Sequence, residues 1–135
     1  MSISPGSSVV PGLIDTHVHL AFDGSRTPVQ NLADRGDEAV LAAMTEAAAA
    51  QLAAGVTTVR DLGDRDHLAL TLRERAPGPL PTIVAAGPPI TCPGGHCHYL
   101  GGVATGVAGI RAAVREHVER GVDVIKVMAL SLIHI

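Results

Sequence analysis

Residues 12–20 read GLIDTHVHL and set two histidines, His17 and His19, one residue apart inside an otherwise apolar run. Side chains alternate along a β-strand, so a strand here would carry Asp15, His17 and His19 on one face and Ile14, Thr16, Val18 and Leu20 on the other. One face suits packing and the other suits chemistry. Two neutral imidazoles on one face can ligate one metal ion. A carboxylate in register, Asp15, could hold a histidine tautomer from behind. The alternative is a pair of ordinary polar residues at a strand end.

Working outward, the chain alternates between two patterns. Residues 13–20, 56–62, 82–86 and 122–129 are short runs rich in Val, Ile, Leu and Thr, the composition of buried strands. Between them the spacing predicts helices. Residues 38–54 place Val40, Leu41, Met44, Ala48 and Leu52 on one face and stop at Gly55. Residues 66–76 carry Leu68 and Leu72 at i, i+4 and run into the breaker PGPLP. Residues 107–120 put Ile110, Val114 and Val118 inward, with Gly121 as the stop. A β-α-β-α-β-α-β order argues for a parallel α/β sheet or barrel. In a parallel barrel the C-terminal ends of the strands line the active-site mouth, where a His-x-His pair at the end of the first strand would sit.

Composition removes several function classes. With 135 residues, 47% hydrophobic and 17% charged, the chain has material for one core and is not disordered. Ten basic residues against 13 acidic ones, with no Lys/Arg run, argue against a nucleic-acid partner. No apolar run approaches the roughly 18–20 residues that span a bilayer, so no membrane association is expected. Two cysteines are too few for a disulfide framework, and the first residues lack a secretory signal pattern, which makes the cytoplasm the default location.

A second anomaly lies in VDVIKVMA, residues 122–129. Lys126 sits between Ile125 and Val127 with no local partner, and burying an unpaired ammonium is expensive. Either its stem lies along apolar surface with the head in solvent, or burial lowers its pKa and the neutral amine captures carbon dioxide as a carbamate, an anionic ligand able to bridge two metal ions. Other motifs are weaker. PGGHCHYLGG follows the third strand run, where a Gly-rich loop would border a substrate, so His96, His98 and Tyr99 are candidates for substrate contact. A rival reading makes Cys92, His96, Cys97 and His98 a zinc cluster, although no second pair follows. Cys97 as a nucleophile lacks an identifiable base. Asp61, at the end of the second strand run, either orients the site or caps the following turn.

Together VVPGLIDTHVHL, AAGVTTVRDLG, GPPITCPGGHCHYLGG and GVDVIKVMA resemble the metal-dependent amidohydrolase superfamily, most closely its imidazolonepropionase-like and prolidase-like dipeptidase branch, over about residues 9–129. The resemblance implies a (β/α)8 TIM-barrel hydrolase acting on carbon–nitrogen bonds of a small-molecule or dipeptide-like substrate. It implies that His17 and His19 bind the more buried metal and that a carboxylated Lys126 bridges both ions. It also implies two further histidines and an aspartate after later strands, which this sequence does not supply. Imidazole and oxygen donors favour zinc, two ions per complete site. The full-length parent is expected to be a homo-oligomer.

A complete barrel takes about 250 residues, so the fold expected here is a partial TIM barrel of about four βα units, truncated at both ends. Residues 1–8 read as a remnant of a preceding region and 9–129 as the first half of the barrel. Residues 130–135, LSLIHI, are what CTG-TCT-CTT-ATA-CAC-ATC encodes, the terminal repeat of a transposon-based sequencing adaptor. That tail reads as non-native and His134 as no ligand. Two other classes stay open: a small metal-binding module using His17, His19 and the Cys-His loop, and a βα scaffold with no site.

Overall fold

The computed structural model describes residues 6–75 and 78–129; the tail 130–135, with His134, lies outside the described residues. Three strands, β1 (Leu13–Val18), β2 (Val56–Asp61) and β3 (Thr82–Ala85), form a parallel sheet in the order β1-β2-β3. The helices are α1 (Pro28–Asp34), α2 (Asp37–Ala53), α3 (Leu68–Arg75) and α4 (Gly106–Arg120). This is a mixed α/β architecture built from parallel βα units. No helix among the described residues is long and apolar enough to cross a membrane.

The core lies between the sheet and helices α2 and α3. Val40, Met44 and Ala48 of α2 meet Val59 of β2, Ile83 of β3, and Leu68 and Leu72 of α3. These are the periodic positions the helix spacing selects, and their burial supplies the main drive for docking helices on the sheet. Helix α2 stops where Gly55 takes a positive φ of 93° and its N–H bonds back to the Leu52 carbonyl. The Gly55 carbonyl then accepts from the Leu13 N–H, which starts the β1–β2 pairing.

Four features differ from the sequence expectation. Helix α1 was not anticipated; its signal is Pro28 at the first helical position after Thr27. Helix α3 begins at Leu68, because Asp66 and His67 hold left-handed conformations (φ 58° and 61°) that a helix cannot include.

The run 122–129 does not form a regular fourth strand. It lies parallel to residues 85–90 through Asp123 N–H to Ala85 O, Ile90 N–H to Lys126 O and Met128 N–H to Ile90 O, with a single bridge, Ile90 to Val127. Its partner segment reads AGPPI, in which Gly87 has φ 67° and Pro88 and Pro89 carry no N–H, so the ladder is interrupted before Ile90.

Finally, α4 turns its apolar stripe outward: Ile110 is 43% and Val118 64% exposed, and Val114 is only half-buried. The residue that α4 buries is His117.

Candidate metal centre

His17 lies near the C-terminal end of β1 and His19 one residue beyond it. The strict alternation expected of residues 13–20 is interrupted. The β1–β2 ladder has irregularities between Leu13 and Ile14 and between Asp15 and Val18. Within that kink the His17 N–H bonds to the Asp15 carboxylate at 3.1 Å, so Asp15 acts on the backbone of His17 and not behind its ring.

The two rings stand with centres 5.4 Å apart. His19 Nδ1 is 2.9 Å from the Gly63 carbonyl oxygen. A carbonyl can only accept, so Nδ1 carries the proton and Nε2 keeps its lone pair. Glycine at position 63 leaves room for this contact, since a Cβ there would lie 3.0 Å from His19 Cε1 and the ring would have to shift.

Asp61 holds the frame. It is fully buried at the end of β2, and its two oxygens accept from the Leu20 and Gly63 N–H groups, each at 3.0 Å. One carboxylate thereby ties the chain leaving β1 to the chain leaving β2, on either side of His19. Burial pushes the Asp61 carboxyl up to about 6, against the lowering effect of the Gly63 and Leu20 donors. His17, though exposed, is held below its ordinary value, first by partial desolvation and then by the charge of Lys126, with His19 and Arg60 adding and Asp15 opposing. Lys126 is therefore near enough for its charge to bear on His17. Among the described residues Lys126 makes no ion pair. Arg60 spans the two strands, its Nε donating to the Thr16 carbonyl at 2.8 Å.

The donor chemistry fits a metal at this point in two respects. Two imidazoles bound to one zinc at about 2.0–2.1 Å hold their ring centres roughly 5 Å apart, close to the spacing of His17 and His19. A ring whose far nitrogen donates to a carbonyl is oriented and made more basic as a ligand, which is the state of His19. Among the described residues no group of three His, Cys, Asp or Glu assembles to hold an ion, so any third protein donor here would have to be of another type. The same finding counts against the Cys92, His96, Cys97, His98 cluster. Cys92 is exposed while Cys97 is buried beside the Tyr99 hydroxyl, Sγ to Oη 3.7 Å.

His96 and His98 are exposed on the loop after β3, and His98 Nδ1 bonds to the Gly95 carbonyl at 2.9 Å. Tyr99 lies against His98, with ring centres 5.8 Å apart, and lines a cavity of about 330 Å³ walled by the loop before α3 and by α4. Burial, then the neighbouring Cys97, pushes the Tyr99 hydroxyl up to about 12. Sequence reading overlooked the other polar groups of this region, Asp64, His67 and His117, which are all buried. Their only sequence signals were a His in the loop GDRDHL and a His one turn from Val114 on α4.

The amidohydrolase family profile matches residues 8–134, and the chain belongs to that family. Several solved structures resemble it, among them the following three. An amidohydrolase matches with TM-score 0.76 and 27% identity, over 97% of this chain and 38% of that one. A prolidase complexed with N-methylphosphonate-L-proline matches with TM-score 0.74 and 29% identity, over 90% and 34%. A Xaa-Pro dipeptidase with bound methionine in the active site matches with TM-score 0.74 and 30% identity, over 87% and 33%. The chain therefore spans about a third of the length of these solved relatives. No curated protein gives a sequence match.

Proposed function

We propose that residues 9–129 are the first half of a (β/α)8 hydrolase that cleaves a carbon–nitrogen bond, in an amide, peptide or cyclic amide, of a dipeptide-like substrate. The observation that carries this reading is the His17–His19 pair at the end of β1, with His19 Nδ1 pinned on Gly63 and Nε2 left with a free lone pair. The prolidase and Xaa-Pro dipeptidase likenesses support the substrate class.

In this reading His17 and His19 would hold a divalent ion, taken as zinc. Lys126, carboxylated, would supply an anionic donor that a second ion could share. Bound metal would supply an activated hydroxide and polarise the substrate carbonyl. The chain's own residues do the positioning. Asp61 fixes the two strand ends, Gly63 fixes the His19 tautomer, and Arg60 places a positive charge beside His17, where it would favour an anionic Lys126 adduct. His96, His98 and Tyr99, on the Gly-rich loop, would border the substrate. Two free cysteines fit a cytoplasmic protein, and the full-length parent is taken to be a homo-oligomer.

Zinc binding tests the reading independently of turnover, which the chain's short span of its relatives makes an unsuitable measure. Calorimetric titration is expected to show a site that His17→Ala or His19→Ala each weakens by roughly tenfold or more. Equal zinc uptake by the unaltered chain and a His17→Ala/His19→Ala double variant would refute it. That result would also sink the small metal-binding module built on these two histidines and leave the scaffold reading.

A further inference from the structure

The reaction site leaves two buried histidines unused. His67 (6% exposed) stands just before α3, and His117 (4% exposed) lies in the last turn of α4. Their ring centres are 4.9 Å apart, with planes inclined at 72°. Gly87 makes room for the first ring: a Cβ at that position would lie 2.5 Å from His67 Cδ2. His117 Nε2 is 2.7 Å from the Pro88 carbonyl oxygen. That nitrogen must be the protonated one, which leaves His117 Nδ1 with a bare lone pair. Nδ1 is buried and makes no hydrogen bond with the described residues, and neither nitrogen of His67 does. Both rings face the cavity of about 330 Å³ that Tyr99 also lines.

With both rings neutral, these three nitrogens are one lone pair on each ring and one N–H of His67, and two buried lone pairs beside one cavity are costly unless something occupies the space between them. An anion does not suit it, because the lone pair on His117 Nδ1 would repel it. The charges of the two arginines on the wall are already paired, Arg65 with Asp37 at 2.7 Å and Arg120 with Glu116 at 3.1 Å, although Arg65 Nε itself has no partner among the described residues. The site calls for an acceptor of lone pairs. Two imidazoles sharing a zinc-class ion at about 2.0–2.1 Å have ring centres roughly 5 Å apart, the spacing seen here. The Pro88 carbonyl on the far nitrogen of His117 is the kind of outer partner that orients a ligating imidazole.

We propose that His67 and His117 bind a divalent ion of the zinc class, separate from the His17–His19 centre, with water from the cavity completing its coordination. Two protein ligands are what is present, since no third His, Cys, Asp or Glu joins them among the described residues. Imidazole donors select zinc, nickel or copper over magnesium and calcium. The ion would tie the loop after β2, carrying His67, to α4 and the Pro88 segment, and bound ion would stabilise the folded state by mass action.

The test is zinc titration of the His17→Ala/His19→Ala protein, which silences the other centre, followed by addition of His117→Gln. Glutamine keeps an Nε2–H for the Pro88 carbonyl and lacks the Nδ1 lone pair. The double variant is expected to take up zinc and to gain thermal stability from it. His117→Gln is expected to weaken that uptake by roughly tenfold or more, with an unchanged far-ultraviolet circular dichroism spectrum. Imidazole ¹H–¹⁵N spectra of the double variant, which need no change at His117, should show its Nδ1 resonance move on zinc addition. No zinc uptake by the double variant, uptake indifferent to His117→Gln, or a stationary Nδ1 resonance would each mean that water alone fills the cavity, and would overturn the proposal. Failure of the His17–His19 reading looks different: it is equal uptake with and without those two histidines.

Discussion

The Asp64 carboxyl group is fully buried; its Oδ2 accepts the Ala69 N–H and its Oδ1 has no partner among the described residues. Burial, reinforced by the nearby Asp61, pushes it up to about 8 from an ordinary value of 3.8. The folded protein then keeps a proton that the unfolded chain has lost. The associated stability is complete below pH 3.8, falls as pH rises, and is gone above about 8. Each such group contributes a slope of at most about 1.4 kcal/mol per pH unit. Asp61, raised to about 6, acts in the same direction over the lower part of that window. Urea unfolding of the unaltered chain should therefore show stability declining between pH 5 and pH 8, roughly the window these two shifts define. Asp64→Asn, which keeps an acceptor for Ala69 and cannot ionise, should flatten the decline; an unchanged slope would contradict the buried-acid account. Neither effect was legible in the sequence, where Asp64 is one of three aspartates in DLGDRD.

Among the elements, glycine shows how position decides the sign of one substitution. Gly102 ends the Gly-rich loop, and a Cβ there would meet the Pro89 carbonyl oxygen at 2.2 Å and its carbon at 2.7 Å, both backbone atoms that cannot step aside. The same residue's carbonyl accepts the Thr91 N–H, which anchors the loop bearing His96 and Tyr99. Gly102→Ala should cost about 1–3 kcal/mol, the usual range for overpacking. Gly109 lies inside α4, and a Cβ there would meet only Ala104 C at 3.9 Å. Gly109→Ala should stabilise by about 0.5–1 kcal/mol through helix propensity alone. Chemical denaturation of the two variants side by side checks both signs. The helix α2 and its stop at Gly55 were readable because local periodicity and a left-handed glycine suffice to specify them. The outward face of α4 was not, because periodicity shows that a stripe exists and says nothing of what covers it.

Over the whole molecule, apolar surface is concentrated on the two flanks. Leu13 and Ile14 on the edge strand β1 are exposed, as are Val107, Ile110 and Val118 on α4 and Val127 beside it. An unpaired parallel edge and an uncovered helix stripe both favour association. Sedimentation velocity is expected to show concentration-dependent self-association of the isolated chain, and Ile110→Lys/Val118→Lys is expected to shift it toward monomer. A monodisperse species at every concentration would show these faces to be inert.

By itself the sequence determined the βα order, the α2 and α3 packing faces and the His-x-His strand end, because each depends on spacing within a few residues. Its fourth strand failed where two prolines in a neighbouring segment lack the donors that a ladder needs and Gly87 takes the backbone out of the extended form. Only the tertiary structure decided which groups meet across the chain: His19 with Gly63, Asp61 with Leu20, and His67 with His117. Those contacts join residues tens of positions apart, and their partners are backbone carbonyls and N–H groups that every residue type carries. No local pattern of side chains can announce them; the packing of helices on the parallel sheet selects which carbonyl lies beside which imidazole.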